Sequence, residues 1–120
     1  MTANPEAALT LTEAETSGLD VRSRDGDGLG HIKALMVDRR TGRSTYAVLS
    51  LGGFLGINKS YYPVPFSLLE FDLPSGEYVI TIDRRVLEGG PSWSSNKPEF
   101  NQAYADRVSS YYGTEAIPLT

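Results

Sequence analysis

The fold is decided by residues 25–51, which read DGDGLGHIKALMVDRRTGRSTYAVLSL. This stretch holds two runs of strand length, Leu29–Asp38 and Ser44–Leu51, and each run follows a turn that contains glycine. Asp-Gly and Thr-Gly pairs supply the positive φ that tight turns between antiparallel strands require. Residues 25–51 therefore predict two long strands that are joined as a hairpin.

The second strand of this hairpin is apolar on both faces. Within Ser44–Leu51, Tyr46 and Val48 alternate with Ala47 and Leu49. A strand with one face in water would show a polar residue at every second position. We therefore expect something besides the barrel interior to cover one face of these strands.

Shorter strands are predicted on both sides of the hairpin. Pro63 and Pro65 assign one of them to a sheet edge or to the entry of a strand, because proline cannot donate a hydrogen bond to a neighbouring strand. Five or six short strands separated by turns predict a mostly β fold, a small antiparallel β-barrel. The further strands predicted are Leu19–Arg24, Tyr61–Phe66, Leu68–Asp72 and Glu77–Ile82.

The last part of the chain predicts one amphipathic helix. Asn96 can cap its start, Pro98 fits its first turn and Gly113 fits its end. We expect a mobile arm over residues 1–17, a barrel over 18–92, and a linker with the helix over 93–120. Four apolar residues recur at helical spacing and form what we call the helix stripe, namely Phe100, Tyr104, Val108 and Tyr111.

Composition limits the classes of function. The chain has 120 residues, enough for one domain, and it contains no Cys. Between Gly18 and Ser92, nine Lys and Arg balance nine Asp and Glu, so the net charge of -4 comes from the ends. Without a polybasic tract we expect no direct nucleic-acid binding. Without a long apolar run or a secretory signal we expect no membrane insertion and a cytoplasmic location.

No pattern in the sequence builds a catalytic or metal site. His31 is the only histidine, and no partner that would make it a base or a zinc ligand can be placed beside it. Asp25 and Asp27 have the spacing of a calcium loop, but Leu29 stands where that loop needs an oxygen ligand. We therefore predict that the protein is not an enzyme and holds neither a metal nor an organic cofactor.

Four motifs occur in an order that resembles the PRC-barrel family: Asp25–Ile32, Val37–Arg43, Gly53–Ile57 and Tyr62–Leu69. The resemblance spans residues 18–92, and the chain is similar to the stand-alone bacterial members of the family. It implies a β-barrel adaptor that binds a protein partner. The family includes the cytoplasmic domain of the photosynthetic reaction centre H subunit and the C-terminal domain of a ribosome-maturation protein. Two alternatives follow from it, an accessory factor in ribosome or RNA maturation and an accessory of a membrane electron-transfer complex.

Two sets of apolar residues are candidates for partner binding. Phe54 and Leu55 stand in a glycine-rich loop, where they are either offered to a partner or folded back to plug the barrel end. The helix stripe gains free energy on burial, either on its own barrel or on a neighbour's. The apolar positions on both faces of the hairpin strands favour the neighbour, so we predict a homodimer.

Overall fold

The computed structural model describes residues 10–16, 19–52 and 60–119. Over these ranges seven strands form one curled sheet, and two helices follow it in the chain. A single 3-10 turn, Phe66–Leu68, joins β5 to β6. The bounds are β1 Leu11–Glu15, β2 Asp20–Arg22, β3 Gly28–Asp38, β4 Ser44–Leu51, β5 Ser60–Pro65, β6 Leu69–Asp72, β7 Glu77–Ile80, α1 Arg84–Glu88 and α2 Gln102–Tyr111.

The sheet has the order β5-β4-β3-β2-β7-β6, and β1 pairs with β3 outside this path. β3 pairs with β2 along its first residues and with β1 along its last, while β4 runs along its other side. β2 and β7 are parallel, and the other pairs are antiparallel. The parallel pair arises because β6 continues in the direction of β5 after the 3-10 turn. The mostly β, barrel-like fold with a C-terminal helix is confirmed, as a mixed sheet that forms a half-barrel.

β1 lies inside the segment for which we predicted a mobile arm. Its residues Leu11–Glu15 pair with Asp38–Ala34 of β3, and Leu11 is buried. The sequence of β1 gives little sign of a strand, since Leu11 is its only large apolar residue. The pairing with β3, which is distant in sequence, stabilises it.

The sheet separates two apolar clusters. The inner cluster includes Ala47 and Leu49 of β4 and fills the concave side of the half-barrel. The outer cluster includes Tyr46 and Val48 of the same strand, and α2 contributes Ala105 and Val108 to it. The expectation that a further element covers one face of the hairpin strands is confirmed, and that element is α2.

α2 begins later than the sequence predicts. Asn101, not Asn96, is the N-cap, and its side-chain oxygen accepts the N–H of Tyr104 at 2.9 Å. Phe100 packs its ring 5.1 Å from that of Tyr46, so the chain before Asn101 approaches the sheet instead of continuing the helix. The predicted end is confirmed, because Gly113 follows the C-cap with a φ of 68°.

The cap assignment can be tested by paired substitutions. Asn101→Ala is expected to lower the free energy of unfolding by about 1 kcal/mol, because an N–H at the start of α2 loses its acceptor. Asn96→Ala, at an exposed position outside the helix, is the matched control and is expected to have almost no effect. Urea denaturation of the two variants measures the difference, and equal losses would contradict the assignment.

A backbone pair with Trp93 covers part of the sheet edge at β5. The N–H of Tyr61 donates to the carbonyl of Trp93 at 2.8 Å, and the N–H of Trp93 donates to the carbonyl of Tyr61 at 3.0 Å. Tyr61, Pro63 and Pro65 occupy every second position of β5, so their backbone nitrogens all point away from β4. The missing N–H of each proline therefore breaks no hydrogen bond to a neighbouring strand. The edge position that the prolines predict is confirmed.

Candidate functional site

The hairpin of β6 and β7 exposes large apolar side chains. The exposed fraction of the residue is 51% for Phe71 and 79% for Leu73, whereas Val86 and Tyr111 elsewhere on the surface are each 42% exposed. Single exposed apolar residues are common on proteins, but neighbouring ones mark contact surfaces. We call Phe71, Leu73 and Tyr78 the hairpin patch.

Strand pairing arranges the aromatic rings of this patch. Phe71 on β6 lies opposite Tyr78 on β7, which places both side chains on the same face of the hairpin. The ring of Tyr78 lies 5.2 Å from that of Phe71 and 6.0 Å from that of Phe66. Three aromatic rings therefore run across this end of the sheet, and the outermost is half exposed.

An ion-pair network holds the hairpin against β2. Arg22 reaches Asp72 with Nη2 at 2.9 Å and Glu77 with Nε at 3.3 Å. The Ser75 hydroxyl donates to Oδ2 of Asp72 at 2.6 Å. The hydrogen bond from Ser75, and then that from Arg22, lower the pKa of Asp72. Asp72 is therefore ionised at neutral pH, and the turn beside Leu73 is fixed at its base.

β6 also offers backbone groups at the edge of the sheet. The N–H of Thr81 donates to the carbonyl of Leu68 at 2.9 Å. Hydrogen bonds alternate along an antiparallel pair, so Glu70 and Asp72 face β7, whereas the N–H and C=O of Phe71 face outward. Within the described chain no strand pairs with that outer side. An extended segment can add at such an edge.

The polar residues singled out from the sequence lie on the surface. His31 is exposed on β3, in register with Asp20 on one side and Ser50 on the other. Asp25 and Asp27 are exposed in the turn between β2 and β3. Over residues 10–16, 19–52 and 60–119, no three His, Cys, Asp or Glu side chains come together in a way that could hold a metal ion.

The predicted partner-binding residues have different positions. Phe54 and Leu55 lie outside the described residues. In the helix stripe, Val108 is buried, and Phe100 and Tyr104 are half-buried against the outer cluster of the same chain. Tyr111 stays exposed, and its hydroxyl donates to the carbonyl of Val86 at 2.7 Å. The homodimer stays a prediction.

Sequence reasoning missed the hairpin patch. Phe71 and Leu73 stand directly before the turn Pro74-Ser75-Gly76, where a tight turn leaves little room for burial. The sequence signal that could have identified them is a pair of large apolar residues at the end of a short predicted strand, directly before a predicted turn.

The half-barrel, with its outer face covered by a helix, defines the chain as a small β-barrel domain. The family model of the PRC-barrel domain matches residues 14–87, more than half of the chain, and the chain belongs to that family. The match ends in α1, so α2 lies beyond it. No curated protein sequence matches the chain. Among the residues placed by the structure, no helix is long and apolar enough to cross a membrane.

Proposed function

We propose that this chain is a non-catalytic PRC-barrel module that docks onto a protein partner through the hairpin patch. The observation that carries the proposal is the exposure of Phe71 and Leu73 beside an open sheet edge. Neither residue belongs to the inner or the outer cluster, so the fold buries its cores without them.

The geometry of the hairpin favours an extended partner segment. Such a segment would pair with the outward N–H and C=O of Phe71, and these main-chain bonds would supply affinity independent of sequence. The exposed ring of Phe71, which packs on the partly buried ring of Tyr78, would supply selectivity for an apolar side chain on the partner. Asp72 is already neutralised by Arg22, so the patch does not call for a strongly charged segment.

Two carboxyl groups, those of Asp38 and Asp72, are held in a state suited to a structural role. Hydrogen bonds from Arg40 lower the pKa of Asp38, as those from Ser75 and Arg22 lower that of Asp72. A catalytic acid or base works best with a pKa near the working pH, which for a carboxyl requires a shift in the opposite direction. Both carboxylates instead fix turns of the sheet.

The proposal predicts loss of a partner when the patch is made polar. The tagged chain and its Phe71→Ser, Leu73→Ser double variant are used to purify bound proteins from the source cells, with quantification by mass spectrometry. We expect at least one protein to be about tenfold or more depleted with the double variant, because two apolar anchors of the interface are removed.

Val86→Ser is the matched control, because it removes an exposed apolar side chain at another place on the surface. It should retain the same partner, and the thermal unfolding of both variants should show that the fold is intact. If the bound proteins are the same for all three chains, the hairpin patch is not the docking surface.

A further inference from the structure

The segment that follows α2, residues 114–119, which we call the tail, folds back onto the outer cluster without forming a helix or a strand. Leu119 is fully buried in that cluster, Ile117 is half-buried against it, and Pro118 between them is exposed. This alternation is that of an extended segment that presents every second side chain to a groove. The outer cluster that contains Leu119 also includes Leu11, Met36 and Ala105, and we call the place that the tail occupies the groove.

The side-chain amide of Gln102, in the first turn of α2, binds the backbone of the tail at two points. Its Nε2 donates to the carbonyl of Ile117 at 3.0 Å, and its Oε1 accepts the N–H of Leu119 at 2.7 Å. Oδ1 of Asp106 accepts a second hydrogen bond from Nε2 at 2.8 Å, which fixes the orientation of the amide. An amide held in this orientation can bind any extended backbone, because both of its hydrogen bonds to the tail are to backbone groups.

Two further side chains complete the groove. The Thr10 hydroxyl donates to the carbonyl of Leu119. Nη2 of Arg40 donates to the carbonyl of Pro118 at 3.1 Å, and Asp38 holds that guanidinium through bonds of 3.0 and 3.2 Å. The carbonyls of residues 117–119 and the N–H of Leu119 are therefore all bound by side chains.

The side chains that hold the tail come from distant parts of the sequence. The strands hold one another through backbone pairs, whereas the tail is held by side chains from three separate parts of the chain, Thr10, Arg40 and Gln102. Hydrogen bonds to an extended backbone, combined with apolar pockets for alternate side chains, are one recurring way in which proteins bind peptides. The groove would accept the same chemistry on a separate chain.

We propose that this groove is a peptide-binding site for an extended segment of another protein, with apolar residues on either side of a proline, and that the tail is its internal competitor. The site is separate from the hairpin patch, and the proposal does not rest on docking there. The tail defines the ligand: two apolar side chains two residues apart that face the outer cluster, an exposed proline between them, and backbone groups that accept hydrogen bonds from, or donate them to, the side chains of the groove.

The tail competes at high local concentration. Only residues 112–116 separate Ile117 from Tyr111 at the end of α2, and a short tether gives an effective concentration on the order of millimolar. A separate peptide at micromolar concentration therefore displaces the tail poorly. Weakening the tail itself should open the site without any change in the groove.

The test uses the full chain with Ile117→Ser and Leu119→Ser, which removes the two anchors of the tail. The probe is a fluorescein-labelled synthetic peptide with the natural sequence of residues 113–119. Fluorescence polarisation is expected to show at least tenfold tighter binding to this variant than to the unchanged chain, because the competitor is lost. Adding Gln102→Ala is expected to weaken binding at least tenfold, since two hydrogen bonds to the peptide are removed.

Arg107→Ala, at an exposed position of α2, is the matched control and should leave peptide binding unchanged. If the tail variant does not fold, the unchanged isotope-labelled chain is titrated with unlabelled peptide to about 1 mM, near the effective concentration of the tail. The NMR signal of the Leu119 amide should then move toward its unstructured position, whereas that of Ile32 in the inner cluster should not move.

A folded tail variant that does not bind the peptide, or a Leu119 signal that does not respond in the unchanged chain, would show that the tail is only a structural part of the core. An NMR sample that mixes labelled and unlabelled chains tests a second occupant. Contacts between Leu119 of one copy and Gln102 of another would show that two copies exchange tails in a dimer. That result would overturn the proposal that the groove binds another protein.

Discussion

Tyr46→Ala is expected to lower the free energy of unfolding by about 4 kcal/mol, the range found for large aromatic residues in a core. Tyr46 is fully buried on β4, and its ring packs against that of Phe100. Its hydroxyl bonds to Oγ of Ser109 at 2.8 Å and to the carbonyl of Ala105 at 3.3 Å. The residue therefore links the sheet to α2 by both packing and hydrogen bonds.

Tyr46→Phe separates these two contributions. It keeps the ring and removes the hydroxyl, so we expect a loss of about 1 kcal/mol, to which the unpaired Ser109 hydroxyl contributes. Urea denaturation followed by circular dichroism measures both variants against the unchanged chain. A loss of less than about 2 kcal/mol for Tyr46→Ala would contradict the packing of α2 on the sheet, because a buried aromatic side chain cannot be removed at so small a cost.

Gly30→Ala is expected to destabilise the protein by about 3 kcal/mol or more, since it combines a steric overlap with an unfavourable backbone conformation. Gly30 lies in β3 with a φ of 155°. A methyl group there would overlap the carbonyl oxygen of Ser50 and lie 3.1 Å from its carbonyl carbon. The obstacle is backbone of the neighbouring strand, so β3 and β4 would have to separate.

Gly28→Ala is the control for this substitution. Gly28 lies two residues earlier in the same strand, and a methyl group there would meet nothing within 4 Å. We expect a change within about 0.5 kcal/mol for this variant, as for most surface substitutions. Thermal and urea unfolding of the two variants side by side measure the difference. Similar stability of both variants would contradict the close approach of β3 and β4 at Gly30.

The parts of the fold that the sequence predicts best are those with strong local patterns. Ser44–Leu51 is predicted at the exact bounds of β4, because a dense apolar run follows a Thr-Gly turn. The edge position of β5 follows from Pro63 and Pro65. The start of α2 was misplaced, because Asn96 and Asn101 are equally good caps by residue type, and only the packing of Phe100 distinguishes them.

The parts that were not predicted depend on contacts distant in sequence. β1 contains mostly small and polar residues, and only its pairing with β3 makes it a strand. The tail has no periodic pattern, so its place in the outer cluster and the role of Gln102 appear only in three dimensions. To predict the hairpin patch, one must know which strand lies at the end of the sheet, and residue spacing does not give the order of the strands.

The contact between Thr10 and Leu119 also sets an order of events in folding. It joins residues 109 positions apart, and closing a loop of that length in an unfolded chain costs about 4 kcal/mol of chain entropy. Once the sheet and α2 have formed, only the few residues beyond α2 remain to be placed, and the cost becomes small. We therefore expect the tail to close last and to open first, so that the two ends of the described chain separate while the half-barrel stays folded.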